Sequence, residues 1–138
     1  MRADMFNLRN LTIIYFSLSV MFCGVPAISE EFTSYSQCVS LEKRLAYRCT
    51  VKINRDAAVF NNAKIQVGAI MPSMPMAHNV RPVMATAAEN NKGEYNFELV
   101  LEMFGIWELQ FDILDPVRDR LTNRLDFRRD LRVVESIK

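Results

Sequence analysis

Apolar and polar residues alternate with a period of two along most of the chain beyond residue 44. Such alternation is typical of β-strands that turn one face to a core and the other to water. It covers the runs 45–54, 63–71, 95–103, 107–113 and 121–133. A weaker strand is predicted over 80–88, and Pro82 favours an edge position for it because proline cannot donate a ladder hydrogen bond. The side chains expected to share a core are Val51, Phe97, Leu99, Leu101, Trp107 and Phe111.

Turn-forming residues separate these runs. Asn61-Asn62 and Asn90-Asn91-Lys92-Gly93 lie between runs, and Asp115-Pro116 follows the run over 107–113. Gly105 lies between two runs and predicts a tight hairpin that joins them. No stretch combines a helical period with capping residues. The sequence therefore predicts an all-β fold, an antiparallel β-sandwich of about seven strands.

The first 29 residues have the layout of a secretory signal peptide. Two arginines precede an uncharged apolar run over 11–25, and small residues favour cleavage between Ser29 and Glu30. The run is about fifteen residues long, shorter than the roughly twenty that a spanning helix needs. We therefore expect a signal-peptide helix over 1–29 and one domain over 30–138, in the periplasm or another extracytoplasmic compartment. An uncleaved N-terminal membrane anchor is the alternative.

Composition excludes several classes of function. The chain has 138 residues, 50% hydrophobic and 24% charged, which suits one globular domain rather than a disordered chain. Its net charge of +1 provides no basic excess for nucleic acid. A single histidine cannot build a zinc site that needs two or three. With no catalytic set or phosphate-binding loop recognisable from spacing, we expect no enzyme activity and no small organic cofactor.

Charged residues are unevenly spread over the C-terminal half of the chain. Residues 93–112 contain five acidic side chains and no basic one, whereas 118–138 contain seven basic and four acidic side chains. Opposite charges attract across neighbouring strands. We therefore expect these two segments to present solvated faces that lie side by side.

Cys38 and Cys49 are the two cysteines that remain after cleavage behind Ser29. An even pair in an oxidising compartment predicts a disulfide. The polar stretch Glu42-Lys43-Arg44 lies midway between them, so a turn there would bring the two sulfurs face to face across a hairpin. Two free thiols that join a metal site are the alternative.

The stretch Met71-Pro72-Ser73-Met74-Pro75-Met76-Ala77-His78 differs from the alternating runs. Proline fixes its own φ and favours extended geometry in the residue before it, and in an extended chain Met74, Met76 and His78 share a face. Thioether sulfur is a soft ligand that suits Cu(I), and imidazole suits copper as well, so these three residues form a candidate Cu(I) site. Three further methionines are candidate ligands: Met71, Met84 and Met103. The alternative is a purely structural role, in which the methionines pack one end of the sandwich.

Three motifs together resemble the YtkA-like domain, in the same order and at the same spacing. They are the stretch 71–78, Gly93-Glu94-Tyr95, and Met103-Phe104-Gly105-Ile106-Trp107-Glu108-Leu109. The resemblance covers about residues 45–115, and the related FixH-like proteins, accessory to copper-containing terminal oxidases, share the general layout. It implies an extracytoplasmic, immunoglobulin-like β-sandwich with a role in copper handling. The candidate ligands carried over by motif are Met74, Met76 and His78.

Two functions fit these observations. The first is a copper-binding or copper-delivery accessory module, whose partner would be an envelope copper enzyme or an efflux component. The second is a non-metal protein–protein interaction module of the cell envelope. In either case we expect membrane contact only through the N-terminal segment. A carrier should bind Cu(I) as a purified monomer, whereas an interaction module should tolerate leucine in place of the methionines.

Overall fold

The computed structural model describes residues 30–89 and 92–137. The predicted signal peptide over 1–29, including the cleavage-site residue Ser29, lies outside the described residues. The secondary structure of the described part consists of ten strands. A helix long and apolar enough to cross a membrane is absent from that part. The predicted all-β class is confirmed for the described residues.

The strand bounds show why the predicted number of about seven strands is too low. The strands are β1 (Phe32–Ser40), β2 (Ala46–Arg55), β3 (Ala58–Val59), β4 (Lys64–Ile70), β5 (Asn79–Met84), β6 (Thr86–Ala87), β7 (Glu94–Val100), β8 (Gly105–Asp115), β9 (Asp119–Phe127) and β10 (Val133–Ile137). β3 and β6 contain two residues each, too few to produce an alternating pattern. The weak run over 80–88 contains both β5 and β6.

The alternating runs bury the side chains that the pattern assigns to the core. Along β2, β4, β7 and β8 every second residue is buried. The six predicted core residues are each at most 4% exposed. Two edge-to-face aromatic pairs lie in the core, with ring centroids 5.8 Å apart for Phe97 and Phe111 and 4.7 Å apart for Tyr47 and Phe127. Burying a side chain of this size stabilises the fold by about 1.5–3 kcal/mol.

The predicted run over 121–133 is two strands rather than one. β9 ends at Phe127, and the connection 128–132 leads into β10. The connection shifts the parity, so Val134 is buried while Val133, expected on the inner face, is 46% exposed. The prediction was wrong here because it carried the alternation across Arg128-Arg129-Asp130, three consecutive polar residues that lie in the connection.

The strands form one antiparallel sheet that folds over on itself and is nearly barrel-like. The strand order is β5-β4-β8-β9-β10-β1-β2-β7-β6, with β3 paired to β2. β10 pairs with β1 on one side and with β9 on the other, so it joins the two facing halves. β5, which contains Pro82, lies at one edge, and this confirms the predicted edge position.

The predicted hairpin at Gly105 is wrong. β7 pairs with β2, whereas β8 pairs with β4 and β9, so the connection 101–104 crosses between the two halves. Gly105 has a φ of +144°, and a Cβ built on it would lie 3.0 Å from Cε of Met71. A short connection between two strands with apolar inner faces can form a hairpin within one layer or cross to the facing layer. Alternation is the same in both cases, so it could not distinguish the two arrangements.

The predicted disulfide between Cys38 and Cys49 is present, and the alternative of two free thiols is wrong. β1 and β2 form a hairpin in which the two cysteines are direct register partners, with 4.0 Å between their Cα atoms. Both cysteines are completely buried. The disulfide therefore cross-links the two strands inside the core.

The expected neighbourhood of the acidic and basic segments holds for β8, which pairs with β9, but not for β7, which pairs with β2 and β6. Arg120 on β9 donates to Asp112 on β8 with an Nε–Oδ1 distance of 2.5 Å, and Arg124 donates to Glu108 with an Nε–Oε2 distance of 3.3 Å. The hydrogen bond and charge of Asp112 raise the pKa of Arg120 above its usual value. Because the two arginine side chains are exposed, water screens these pairs and they add little to the stability of the fold.

Candidate metal-binding loop

Residues 71–78, here called the Met-Pro loop, connect β4 to β5. Strand register places this loop at the same end of the molecule as the connections 41–45, 101–104 and 128–132. A hydrogen bond joins two of these connections, because Leu101 N–H donates to the Leu45 carbonyl oxygen at 2.9 Å. The candidate ligands therefore lie in a loop at the same end of the molecule as three other connections between core strands.

The Met-Pro loop forms successive turns rather than the extended chain that the sequence predicted. Met74 N–H donates to the Met71 carbonyl oxygen at 2.9 Å, and Ala77 N–H donates to the Met74 carbonyl oxygen at 3.2 Å. Pro72 and Pro75 thus each occupy the second position of a four-residue turn, where the fixed φ of proline is favourable. Two Met-Pro dipeptides three residues apart were the sequence signal for this conformation.

The turns change which candidate ligands are neighbours. His78 N–H donates to the Met74 carbonyl oxygen at 3.3 Å, which makes one helix-like turn between the two residues. Residues four apart in such a turn lie on the same side, whereas residues two apart do not. Met74 is 39% exposed and Met76 is 97% exposed. The shared extended face is therefore replaced by a Met74–His78 pair with Met76 projecting into solvent.

The three further methionines differ in their positions. Met71 is 3% exposed and packs in the core beside Gly105. Met103 is half-buried against the core, and its carbonyl oxygen accepts a 3.1 Å hydrogen bond from Nε1 of Trp107. Met84 ends β5, five residues beyond Asn79 and hence about 16 Å from the loop. The structure keeps Met84 apart from the loop and uses Met71 and Met103 in packing.

Glu102 is a residue of this site that the sequence analysis missed. Its Oε2 lies 2.5 Å from Nδ1 of His78, although the two residues are 24 positions apart in sequence. The imidazole is 24% exposed and the Glu102 side chain 54% exposed. In the sequence Glu102 is one of several acidic residues on an outward face, and nothing there distinguishes it from Glu98. Only the crossing of the connection 101–104 beneath the loop brings it to His78.

Two other features complete the surroundings of the loop. A cleft of about 340 Å³ lies between the loop and the outer face of β8 and β9, lined by Pro72, Ser73, Ile106 and Arg124. Ile106 is 49% exposed in this cleft. Across residues 30–89 and 92–137, no three His, Cys, Asp or Glu side chains cluster closely enough to hold a metal ion.

Comparison with curated proteins and with solved structures gives no significant match. A family model does match: the YtkA-like model aligns with residues 40–112. The aligned region runs from the end of β1 into β8, and it contains the Met-Pro loop, Glu102 and the Gly105 crossing. Because the match covers more than half of the 138 residues, the chain belongs to the YtkA-like family.

Proposed function

We propose that this protein is an exported, immunoglobulin-like accessory module that binds Cu(I) through Met74 and His78, with the solvent-exposed Met76 turning toward them as the third ligand. The observation that carries the proposal is the exposure of two thioethers, 39% for Met74 and 97% for Met76, in the same short loop as the only histidine of the chain. Methionine is usually buried, where it fills irregular gaps in cores. Two solvent-exposed methionines beside an imidazole therefore call for an explanation other than packing.

The donor set suits Cu(I) chemically. Thioether sulfur is a soft, uncharged ligand that selects Cu(I), and neutral imidazole binds copper in either oxidation state. The two proline-centred turns restrict the loop backbone before any metal arrives, so less conformational entropy opposes binding. Cu(I) is cargo in this proposal, and the protein is a carrier rather than an enzyme.

The position of the loop supports delivery to a partner in the envelope. Glu31 N–H donates to Oδ1 of Asp56 at 2.9 Å, and Asp56 lies in the turn after β2, at the end of the molecule opposite the Met-Pro loop. β1 alone has nine residues, a length of about 30 Å. Glu31 therefore lies at the end of the molecule opposite the loop, and in this proposal the loop end faces an envelope copper enzyme or efflux component.

Anaerobic competition for Cu(I) against a chromogenic chelator tests the proposal on the tag-free protein. We expect Met74→Leu/Met76→Leu to weaken Cu(I) binding by at least tenfold, and His78→Ala to weaken it as well. Leucine conserves the apolar volume, so the unfolding midpoint of the double variant should stay close to that of the parent. Met84→Leu is the matched control, because Met84 is 48% exposed but lies at the far end of β5, and it should bind as the parent does.

A double leucine variant with the affinity of the parent would contradict the copper proposal. The non-metal interaction module would then take its place, and the cleft between the loop and Ile106 is the observation that favours it. A parent protein that fails to withdraw Cu(I) from the chelator would lead to the same conclusion.

A further inference from the structure

We propose that Glu102 is a positioning residue for the Cu(I) site, and that it selects Nε2 of His78 as the nitrogen that binds the metal. This inference rests on the proposed function. Its basis is the 2.5 Å contact between Oε2 of Glu102 and Nδ1 of His78, which joins the Met-Pro loop to the connection 101–104. The contact assigns a specific role to a residue that lies outside the Met-Pro loop.

The chemistry of the contact determines the tautomer. A carboxylate is purely an acceptor, and a neutral imidazole has one N–H donor and one lone-pair nitrogen. The contact therefore requires the proton of His78 to be on Nδ1, which leaves the lone pair of Nε2 free for a metal. Metal-binding histidines commonly donate their other N–H to a carboxylate, which orients the ring and raises its basicity as a ligand.

The backbone on both sides of the contact is held in place. Leu101 N–H donates to the Leu45 carbonyl oxygen at 2.9 Å, and Nε1 of buried Trp107 donates to the Met103 carbonyl oxygen at 3.1 Å. These bonds fix the residues immediately before and after Glu102. On the loop side, His78 N–H donates to Met74, and Met71 N–H donates to the His78 carbonyl oxygen at 3.4 Å. Two anchored backbones thus hold the residues on both sides of the His78–Glu102 contact in place.

A nuclear magnetic resonance experiment reads this tautomer directly. Because the chain contains one histidine, a long-range proton–nitrogen spectrum of the tag-free protein shows a single imidazole that needs no assignment. In the neutral imidazole we expect the parent to carry its proton on Nδ1. Addition of Cu(I), which is diamagnetic, should shift the Nε2 resonance and leave Nδ1 protonated.

Three variants separate the hydrogen bond from charge and from folding. Glu102→Ala should shift the imidazole toward the Nε2–H tautomer and weaken Cu(I) binding about 10–100-fold, the usual effect of losing an outer carboxylate. Glu102→Gln should restore both properties, because its amide oxygen can accept the same hydrogen bond. Glu98→Ala is the control, since Glu98 is an equally charged, exposed residue that pairs with Arg48 rather than with His78, and it should leave both unchanged.

The outcomes keep the two proposals apart. If the parent binds Cu(I) but Glu102→Ala keeps its tautomer and its affinity, the contact is a surface pair only and the role of Glu102 is refuted while the copper proposal stands. A Cu(I)-induced shift at Nδ1 rather than Nε2 refutes it in the same way. If the parent binds no Cu(I), the proposed function fails, and the tautomer of the metal-free protein still reports whether the Glu102 contact forms.

Discussion

Reducing the disulfide between Cys38 and Cys49 removes a cross-link between β1 and β2 that spans 11 residues of sequence. Both sulfurs are completely buried, so reduction adds no exposed surface to the folded protein as long as the strands stay paired. The main effect therefore falls on the unfolded chain, which gains conformational freedom when the loop is opened.

The loop length gives the expected size of the effect. In the chain-entropy model, closing a loop of this length lowers the entropy of the unfolded chain enough to stabilise the fold by about 3 kcal/mol at 25 °C. With a urea dependence of about 2 kcal/mol per molar, the unfolding midpoint should fall by about 1.5 M on reduction. The melting temperature should fall by roughly 10–20 °C in a domain of this size.

Urea unfolding of oxidised protein and of protein reduced in denaturant and then refolded measures this difference. Trp107 is the one tryptophan of the chain and is fully buried, so its fluorescence reports the loss of the core. Cys38→Ala/Cys49→Ala is the control, because its midpoint should not respond to reductant. Oxidised and reduced midpoints within about 0.3 M of each other would refute the reasoning, as would two thiols that titrate in denatured, unreduced protein.

The remaining predictions concern one buried tyrosine and two glycines. Tyr95→Phe should lower the free energy of unfolding by about 1–3 kcal/mol, because the hydroxyl donates to the Phe60 carbonyl oxygen at 2.8 Å and leaves it unpaired when removed. Burial raises the pKa of Tyr95, so the stability that its neutral phenol contributes is complete below about pH 10 and is lost as pH rises above that value. The free energy of unfolding, measured at increasing alkaline pH, should therefore fall more steeply in the parent than in the Phe variant. Gly93→Ala should cost about 2–4 kcal/mol in urea unfolding, because φ is +79° there and the new Cβ would lie 2.2 Å from Cγ1 of Val59. Gly68→Ala, with no atom within 4 Å, should be neutral or stabilising, and equal losses in both alanine variants would contradict the steric argument.

Much of the fold could be predicted from local patterns. The burial of Trp107, Phe111 and their neighbours follows from alternation, because side chains in any strand point to opposite faces in turn. The pairing of Cys38 with Cys49 followed from an even cysteine pair around a polar turn. The prediction failed over 121–133, where the connection between β9 and β10 shifts the parity at the polar residues 128–130.

The candidate site was predictable in composition but not in geometry. Exposed thioethers and a single histidine can be read from the stretch 71–78, yet the chain there adopts turns instead of an extended strand. Proline at the second position of a turn competes with the extended preference that proline imposes on the residue before it. The loop adopts the turn geometry. It places Met74 and His78 on the same side of one turn, whereas an extended chain would have placed Met74, Met76 and His78 on one face.

Properties of single strands and short hairpins were therefore present in the amino-acid order itself: the all-β class, the inward faces and the disulfide. Only the tertiary structure decided three other features. They are the pairing of β7 with β2 instead of β8, the position of β10 between the two halves of the sheet, and the contact of Glu102 with His78. Alternation says which face of a strand is apolar but not which other strand covers it, because any apolar face of similar size can do so. A contact such as that of Glu102 with His78, 24 positions apart in sequence, forms only when the strands that carry the two residues pack in the folded molecule.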